Sequence, residues 1–331
     1  MFMLLATATL RHENGYTKAI MTIKLLVRLG VLASLIGGSQ FCYAAFNLGG
    51  GENYALLFEG VGGNTLQITN VTVNGNVGVA TTGKATDSGP STINGGINFS
   101  AANTGQFSNN NASDVITGGV QYSVAGVTSA MNYVNDLSLQ LFNIQTANTG
   151  TSIAINGTQT INASAGAVFI INGQAVHVFD ATSFSNSNAI LTINGAATDL
   201  VAINLGGLGN IQFHGGIQFT GGITADDVLF NIGGGNYTTQ TGNSSLDINN
   251  NGGQAGTAQG IFLDPNGAIS VTNAVVVGRV FGGDSHDFQY VSGSEIDLPT
   301  TVPDTGTTIA LLSVALVSVQ GMRKLFRARK S

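Results

Sequence analysis

Cysteine occurs once in 331 residues, tryptophan not at all and proline only 4 times. A single cysteine excludes a disulfide-stapled scaffold and a zinc ribbon. Four prolines and no Gly-X-Y period exclude a collagen-like chain, although glycine reaches 47 residues. Charged residues make up only 8%, about a third of the share usual in soluble domains. Ordinary disorder is also excluded, because 43% of the residues are hydrophobic and little charge is present to keep the chain solvated. What is there is a chain rich in glycine, asparagine, threonine, valine and isoleucine. That composition suits an all-β protein with many short strands and tight turns.

Basic residues are scarcest where a nucleic-acid surface would need them. Of 11 Lys and Arg, only Lys84 and Arg279 lie between Ala45 and Thr301, against 15 Asp and Glu, a net charge of -13 for that span. A phosphate-binding surface is basic, so nucleic acid is excluded as a partner.

The other nine basic residues lie near the two ends. Residues 1–44 read as a secretory signal peptide whose true start is Met21 rather than Met1. Lys24 and Arg28 precede the apolar run Leu29–Ile36, and Cys42 and Ala44 supply small residues before cleavage between Ala44 and Ala45. The bulky Phe41 beside Cys42 makes a poor lipoprotein signal, so the cysteine leaves with the leader. At the other end, a linker and the motif Val302-Pro303-Asp304-Thr305-Gly306 occupy 299–306. An apolar segment follows at 307–322, then a basic tail at 323–331 carrying Arg323, Lys324, Arg327, Arg329 and Lys330. A membrane segment closed by cations is a stop-transfer device with its tail in the cytoplasm.

This C-terminus resembles the VPDSG-type sorting signal of Gram-negative envelopes, with Thr305 where serine is expected. It also resembles a sortase LPxTG signal, departing from it at Val302. The first resemblance implies an exosortase-type sorting protease as partner and a chain held at first in the membrane. A plain tail anchor is the simpler alternative.

Residues 45–298 read as one exported domain. A β-branched residue followed by Asn-Gly recurs at Val73-Asn74-Gly75, Ile93-Asn94-Gly95, Ile155-Asn156-Gly157, Ile171-Asn172-Gly173 and Ile193-Asn194-Gly195. Asn-Gly suits a hairpin or a solenoid corner equally, since both need positive φ. The spacings are mostly near one solenoid coil. Short alternating runs such as Val71–Val73, Ile153–Ile155, Ile190–Ile193, Ile211–Phe213 and Ile217–Phe219 would make weak isolated hairpins, whereas stacked coils bury a continuous inner row. Met131, Val134, Leu137 and Leu141 fall on one helical face, which predicts a helix from Ser129 to Gln145 with Ser129 as its N-cap. The expected fold is all-β, an irregular β-solenoid or β-helix with one flanking α-helix, plus a C-terminal transmembrane helix.

The order of these segments, from Phe46–Leu57 through Val73–Val79 and Val228–Asn231 to Gly260–Ile269 and Val276–Gly283, resembles the choice-of-anchor A domain family. It is also similar to the ice-binding-like β-solenoid group. The resemblance implies a surface-displayed module and supplies no catalytic residues.

Candidate chemistry is sparse. Asp247 to Gly252 match the first six positions of a calcium loop, with Asp247, Asn249 and Asn251 as ligands. Ala258 stands where a bidentate glutamate is needed, so an Asn/Gly loop is the plainer reading. Asp284, His286 and Asp287 could ligate a cation, but more often such a cluster is a solvated turn. No metal or cofactor is therefore expected, calcium being the one ion left open. Asp226-Asp227 could serve as the acid pair of a β-helix glycosidase, but neighbours on a strand point to opposite faces. His177 alternates with apolar residues as a strand-face residue, and His214-Gly215-Gly216 precedes the acid pair. Thr158 and Thr160 are the short side chains an ice-binding face would use, without a threonine ladder at coil spacing. The leading expectation is a non-enzymatic exported envelope protein with a structural, matrix or adhesive role. An extracellular polysaccharide or surface matrix is its expected partner. A polysaccharide-active enzyme and an ice-binding protein are the alternatives.

Overall fold

The computed structural model describes residues 45–102, 104–233, 245–249, 257–283 and 286–299. The expected leader, sorting motif, apolar segment and basic tail lie outside these residues, as do Ala44, Asn251 and Asp284. Among the described residues no helix is long and apolar enough to cross a membrane.

Short strands stack in parallel, coil on coil, and form three faces. A ten-strand path runs from Val120–Gln121 through Ile97–Phe99, Asn76–Val79 and Tyr54–Phe58 to Val275–Gly282. It continues through Ala258–Asp264, Val228–Asn231, Leu200–Asn204 and Gln174–Ser185 to Thr151–Asn156. The order is discontinuous in sequence. From the entry strand Tyr54–Phe58, successive coils build toward Val120–Gln121. Helix α1 (Ala125–Thr146) then leads to Thr151–Asn156 at the opposite edge, and later coils return to pair Leu56 with Val280. The first coil thus closes against the last.

Two apolar layers hold this face. Its inner side contributes Leu56, Phe58, Val201, Ile203, Phe230 and Phe262 to the solenoid interior. Phe230 stacks on Phe262 with centroids 5.2 Å apart, and Phe213 meets both edge-on at 5.1 Å. Such pairs contribute about 0.5–1.5 kcal/mol each beyond their buried area. The outer side presents Leu57, Leu200, Leu229, Ile261 and Phe281 to α1, which buries Val127, Met131, Val134, Leu137 and Leu141 against them. The apolar periodicity therefore placed the helix and its buried face correctly. Its start differs: α1 begins at Ala125, capped by Val124, and Ser129 lies one turn inside. Ser123, at φ 62, turns the chain, and Gly126 is tolerated in the first turn.

The five Asn-Gly pairs divide between the two uses. Asn172 and Gly173 both have positive φ, 49° and 81°, and join Ala167–Ile171 to Gln174–Ser185 as an antiparallel hairpin. The other four turn corners between parallel coils. Where Ala258–Asp264 and Val275–Gly282 bend from one face to the next, Gly260 pairs with Gly278. A Cβ on Gly278, at φ 147, would lie 1.9 Å from the Gly260 carbonyl oxygen.

Candidate functional site: the seven-stranded face

A second face consists of seven parallel strands in the order Asn210–Phe213, Ser245–Asn249, Ala268–Thr272, Phe288–Val291, Thr65–Thr69, Lys84–Asp87 and Phe107–Asn109. Strand alternation explains its two sides. Ile211, Phe213, Leu246, Ile248, Ile269, Val271, Phe288, Leu66 and Ile68 point inward and are buried. Their polar neighbours point outward. Register aligns Gln212, Asp247, Ser270, Gln289, Gln67, Thr86 and Ser108 in one row. At roughly 4.8 Å per strand the row extends about 29 Å. Beside it run Asn210, Ser245 and Ala268 on one flank, and Asn249, Thr272, Val291 and Thr69 on the other.

A shallow cavity of about 500 Å³ lies over this face, lined by Asn210, Ser245, Asp247, Ser270, His286 and Asp287 among others. Two sequence candidates for a metal site thus reach the same face. Asp247 and Asp287 nevertheless sit two strands apart and two residues out of register, roughly 12 Å, whereas calcium ligands stand about 2.3–2.6 Å from the ion. Asp247 Oδ2 is 2.9 Å from His214 Nε2, and Asp287 Oδ1 accepts the Thr65 amide at 2.8 Å. Among the described residues no three His, Cys, Asp or Glu side chains are grouped to hold a metal ion. Nor does the His214–Asp247 pair form a nucleophilic triad with Ser270. Asp247 stands between the two, so the imidazole does not face the hydroxyl.

The acid pair Asp226-Asp227 is consumed by structure. Asp227 Oδ2 accepts both the amide and the hydroxyl of Thr224 at 2.7 Å, closing a capping box. Burial pushes its carboxyl up to about 6, with the Thr224 hydrogen bonds opposing the shift. Asp226 ion-pairs with Arg279, whose guanidinium also donates to the Glu52 carbonyl at 3.2 Å. His177 lies on its strand face as expected, with Nε2 3.9 Å from Asp199. Thr160 does find a register partner in Thr192, a two-rung ladder that the sequence spacing had not disclosed.

Polar ladders are the feature the sequence reading missed. Asn94 Nδ2 donates to Asn74 Oδ1 at 2.6 Å, and Asn74 Nδ2 to Asp297 Oδ1 at 2.5 Å. On the same side, Asn194 Nδ2 donates to Asn162 Oδ1 at 2.9 Å. The repeated Asn-Gly pairs carried this signal, because a residue recurring at each corner must stack on its equivalent in the next coil.

No family model matches the chain, and no curated protein matches it. Solved structures similar to it include an ice-binding protein from the Antarctic ascomycete Antarctomyces psychrotrophicus, 16% identical, covering 78% of this chain and 100% of that one with a TM-score of 0.48. An ice-binding protein from an Arctic yeast is 12% identical, covering 78% and 95% with a TM-score of 0.46. Another, from an Antarctic biological consortium, is 12% identical and covers 77% and 92% with a TM-score of 0.46.

Proposed function

We propose that this chain is an exported, non-enzymatic module of the cell envelope, sorted through Val302–Gly306, whose seven-stranded face adheres to a neutral, hydroxyl-rich polymer of the extracellular matrix. The observation that carries the binding surface is the seven-residue row from Gln212 to Ser108, in which six side chains are uncharged amides or hydroxyls. Amides and hydroxyls both donate and accept, so they exchange hydrogen bonds with sugar hydroxyls without desolvating a charge. The acidic surroundings disfavour polyanions.

The test is affinity electrophoresis of the full chain in gels containing neutral polysaccharides, beside a Ser270→Glu/Gln289→Glu variant. Both substitutions point to solvent, so the melting temperature should hold while retardation is lost. Equal retardation of the two proteins would contradict the assignment of the face.

Ice binding is the second reading, favoured by the short outward side chains Thr65, Thr86, Ser108, Ala268, Ser270 and Thr272 at regular strand spacing. The longer Gln67, Gln212 and Gln289 interrupt that pattern. Thermal hysteresis at high protein concentration would support this reading, and its absence would end it.

A further inference from the structure

One end of the stack closes with the hairpin of Ala167–Ile171 and Gln174–Ser185. Ala167–Ile171 pairs with Gln174–Ser185 along one edge, and among the described residues no strand pairs with its other edge. The two-residue turn at Asn172 and Gly173 makes Ile171 and Gln174 the hydrogen-bonded closing pair. Alternation along an antiparallel ladder then turns the amides and carbonyls of Val168 and Ile170 toward the open edge.

Their side chains are open as well. Phe169 and Ile171 pack into the cluster that α1 covers, whereas Val168 and Ile170 point to the opposite side and are 58% and 72% exposed. An open edge strand that carries exposed apolar side chains is a template for pairing with another chain. The far end of the stack shows how such an edge is blunted. Its strands Phe107–Asn109, Val115–Ile116 and Val120–Gln121 are only two or three residues long, and Asp114 adjoins one of them. No charge guards the hairpin, since residues 137–179 contain no Lys, Arg, Asp or Glu. The hairpin is also held in place before a partner arrives, which lowers the ordering cost of pairing. Gln140 of α1 donates to Asn172 Oδ1 at 3.1 Å, and Gln174 donates to the Ala45 carbonyl at 2.7 Å and accepts the Asn47 amide at 2.8 Å.

We propose that Ala167–Ile171 is a self-association edge, which pairs antiparallel with the same strand of a second copy about a two-fold axis at Phe169. Two features select a second copy as the occupant. The strand is self-complementary: this register sets Val168 opposite Ile170 of the other copy, and each such pair exchanges both of its backbone hydrogen bonds. The same register brings the β-branched side chains together across the strands. Charge points the same way. The span from Ala45 to Thr301 carries a net charge of -13, so two copies repel wherever their acids face each other, and the uncharged hairpin lets them approach without that cost. A five-residue ladder is smaller than a standard interface, so the association belongs in the weak, micromolar class. The edge is separate from the outward row of the seven-stranded face, and the proposal does not depend on the polymer-binding reading.

The experiment is sedimentation equilibrium of the full chain from about 1 μM to 1 mM, with a monomer–dimer equilibrium expected. Val168→Lys/Ile170→Lys should weaken association by more than about a hundredfold, because unpaired ammonium groups then face each other across the axis. Both positions are exposed, so circular dichroism and the melting temperature at the lowest concentration should match the unaltered chain. Val168→Glu/Ile170→Glu should also be monomeric alone, and mixing the two variants should restore a dimer in which each lysine faces a glutamate. Val115→Lys, on an exposed residue at the far end, should associate like the unaltered chain. A monomer at every concentration would overturn the proposal and leave the edge to a different partner. A dimer that survives Val168→Lys/Ile170→Lys, open-ended growth of oligomers, or charge variants that stay monomeric when mixed would overturn it too.

Discussion

Asn231 Nδ2 donates to Asn204 Oδ1 at 3.0 Å, one rung apart in the helix-covered sheet, and both side chains also hydrogen-bond α1. Asn231 also donates to the Ser138 carbonyl at 3.1 Å and accepts the Ser138 hydroxyl at 2.5 Å, while Asn204 donates to the Leu141 carbonyl at 2.9 Å. Asn204 passes the ladder on to Asp180, again at 2.9 Å. Both asparagines are completely buried, so the ladder supplies polar specificity within an otherwise apolar interface.

Asn231→Ala should therefore cost more than the loss of one hydrogen bond. It strands the Ser138 hydroxyl and Asn204 Oδ1 in a dry interface, an expected loss of about 2–4 kcal/mol. Urea unfolding measures it, and Gln140→Ala on the exposed side of α1 should change stability by less than about 0.5 kcal/mol.

The bend at Gly278 makes a sharper steric prediction. Gly278→Ala places a Cβ within the van der Waals radius of the Gly260 carbonyl and should destabilise by about 3 kcal/mol or more. Gly62→Ala also has positive φ, 75°, but meets nothing within 4 Å, so it should cost only about 1 kcal/mol. Comparing the two unfolding midpoints separates packing from backbone strain.

Arg279 and Asp226 should behave as a buried pair. Arg279→Ala leaves the Asp226 carboxylate uncompensated, at an expected cost of about 3–5 kcal/mol. Replacing both with leucine removes the uncompensated charge and should recover much of that loss. A double-substitution cycle in denaturant measures the coupling.

Asp227 sets a pH dependence with a defined sign. Its carboxyl ionises near 6 in the folded chain and about 3.9 when unfolded. The native state therefore holds the proton more tightly, and this contribution is fully present below about 3.9 and lost as pH rises through 6. Asp227→Asn should remove up to about 3 kcal/mol of that pH-linked difference, leaving the other buried acids to set the remaining slope. Unfolding free energies of both proteins between pH 4 and 8 supply the test.

Much of the fold was legible because the solenoid writes its geometry into short-range patterns. Val71–Val73, Ile190–Ile193 and Ile211–Phe213 alternate because one side of each coil is dry, and the structure places a strand at each. Met131 to Leu141 show a helical period because α1 covers the sheet along one stripe. What stayed hidden depends on coil order. The pairing of Leu56 with Val280 joins residues more than 200 apart, and no local pattern encodes it. The seven-stranded row was equally hidden, since Gln212, Gln289 and Gln67 become neighbours only after the first coil closes on the last. Asp226-Asp227 offered an acid pair that the sequence could only weigh and set aside, and its partners Arg279 and Thr224 turn it to structural use.

Export and sorting are tested most directly by mass spectrometry of the intact chain recovered from the cell envelope. The proposed function predicts a mature chain that begins at Ala45 and ends within or before Val302–Gly306. A chain that retains residues before Ala45 together with the Arg323–Lys330 cluster would contradict it.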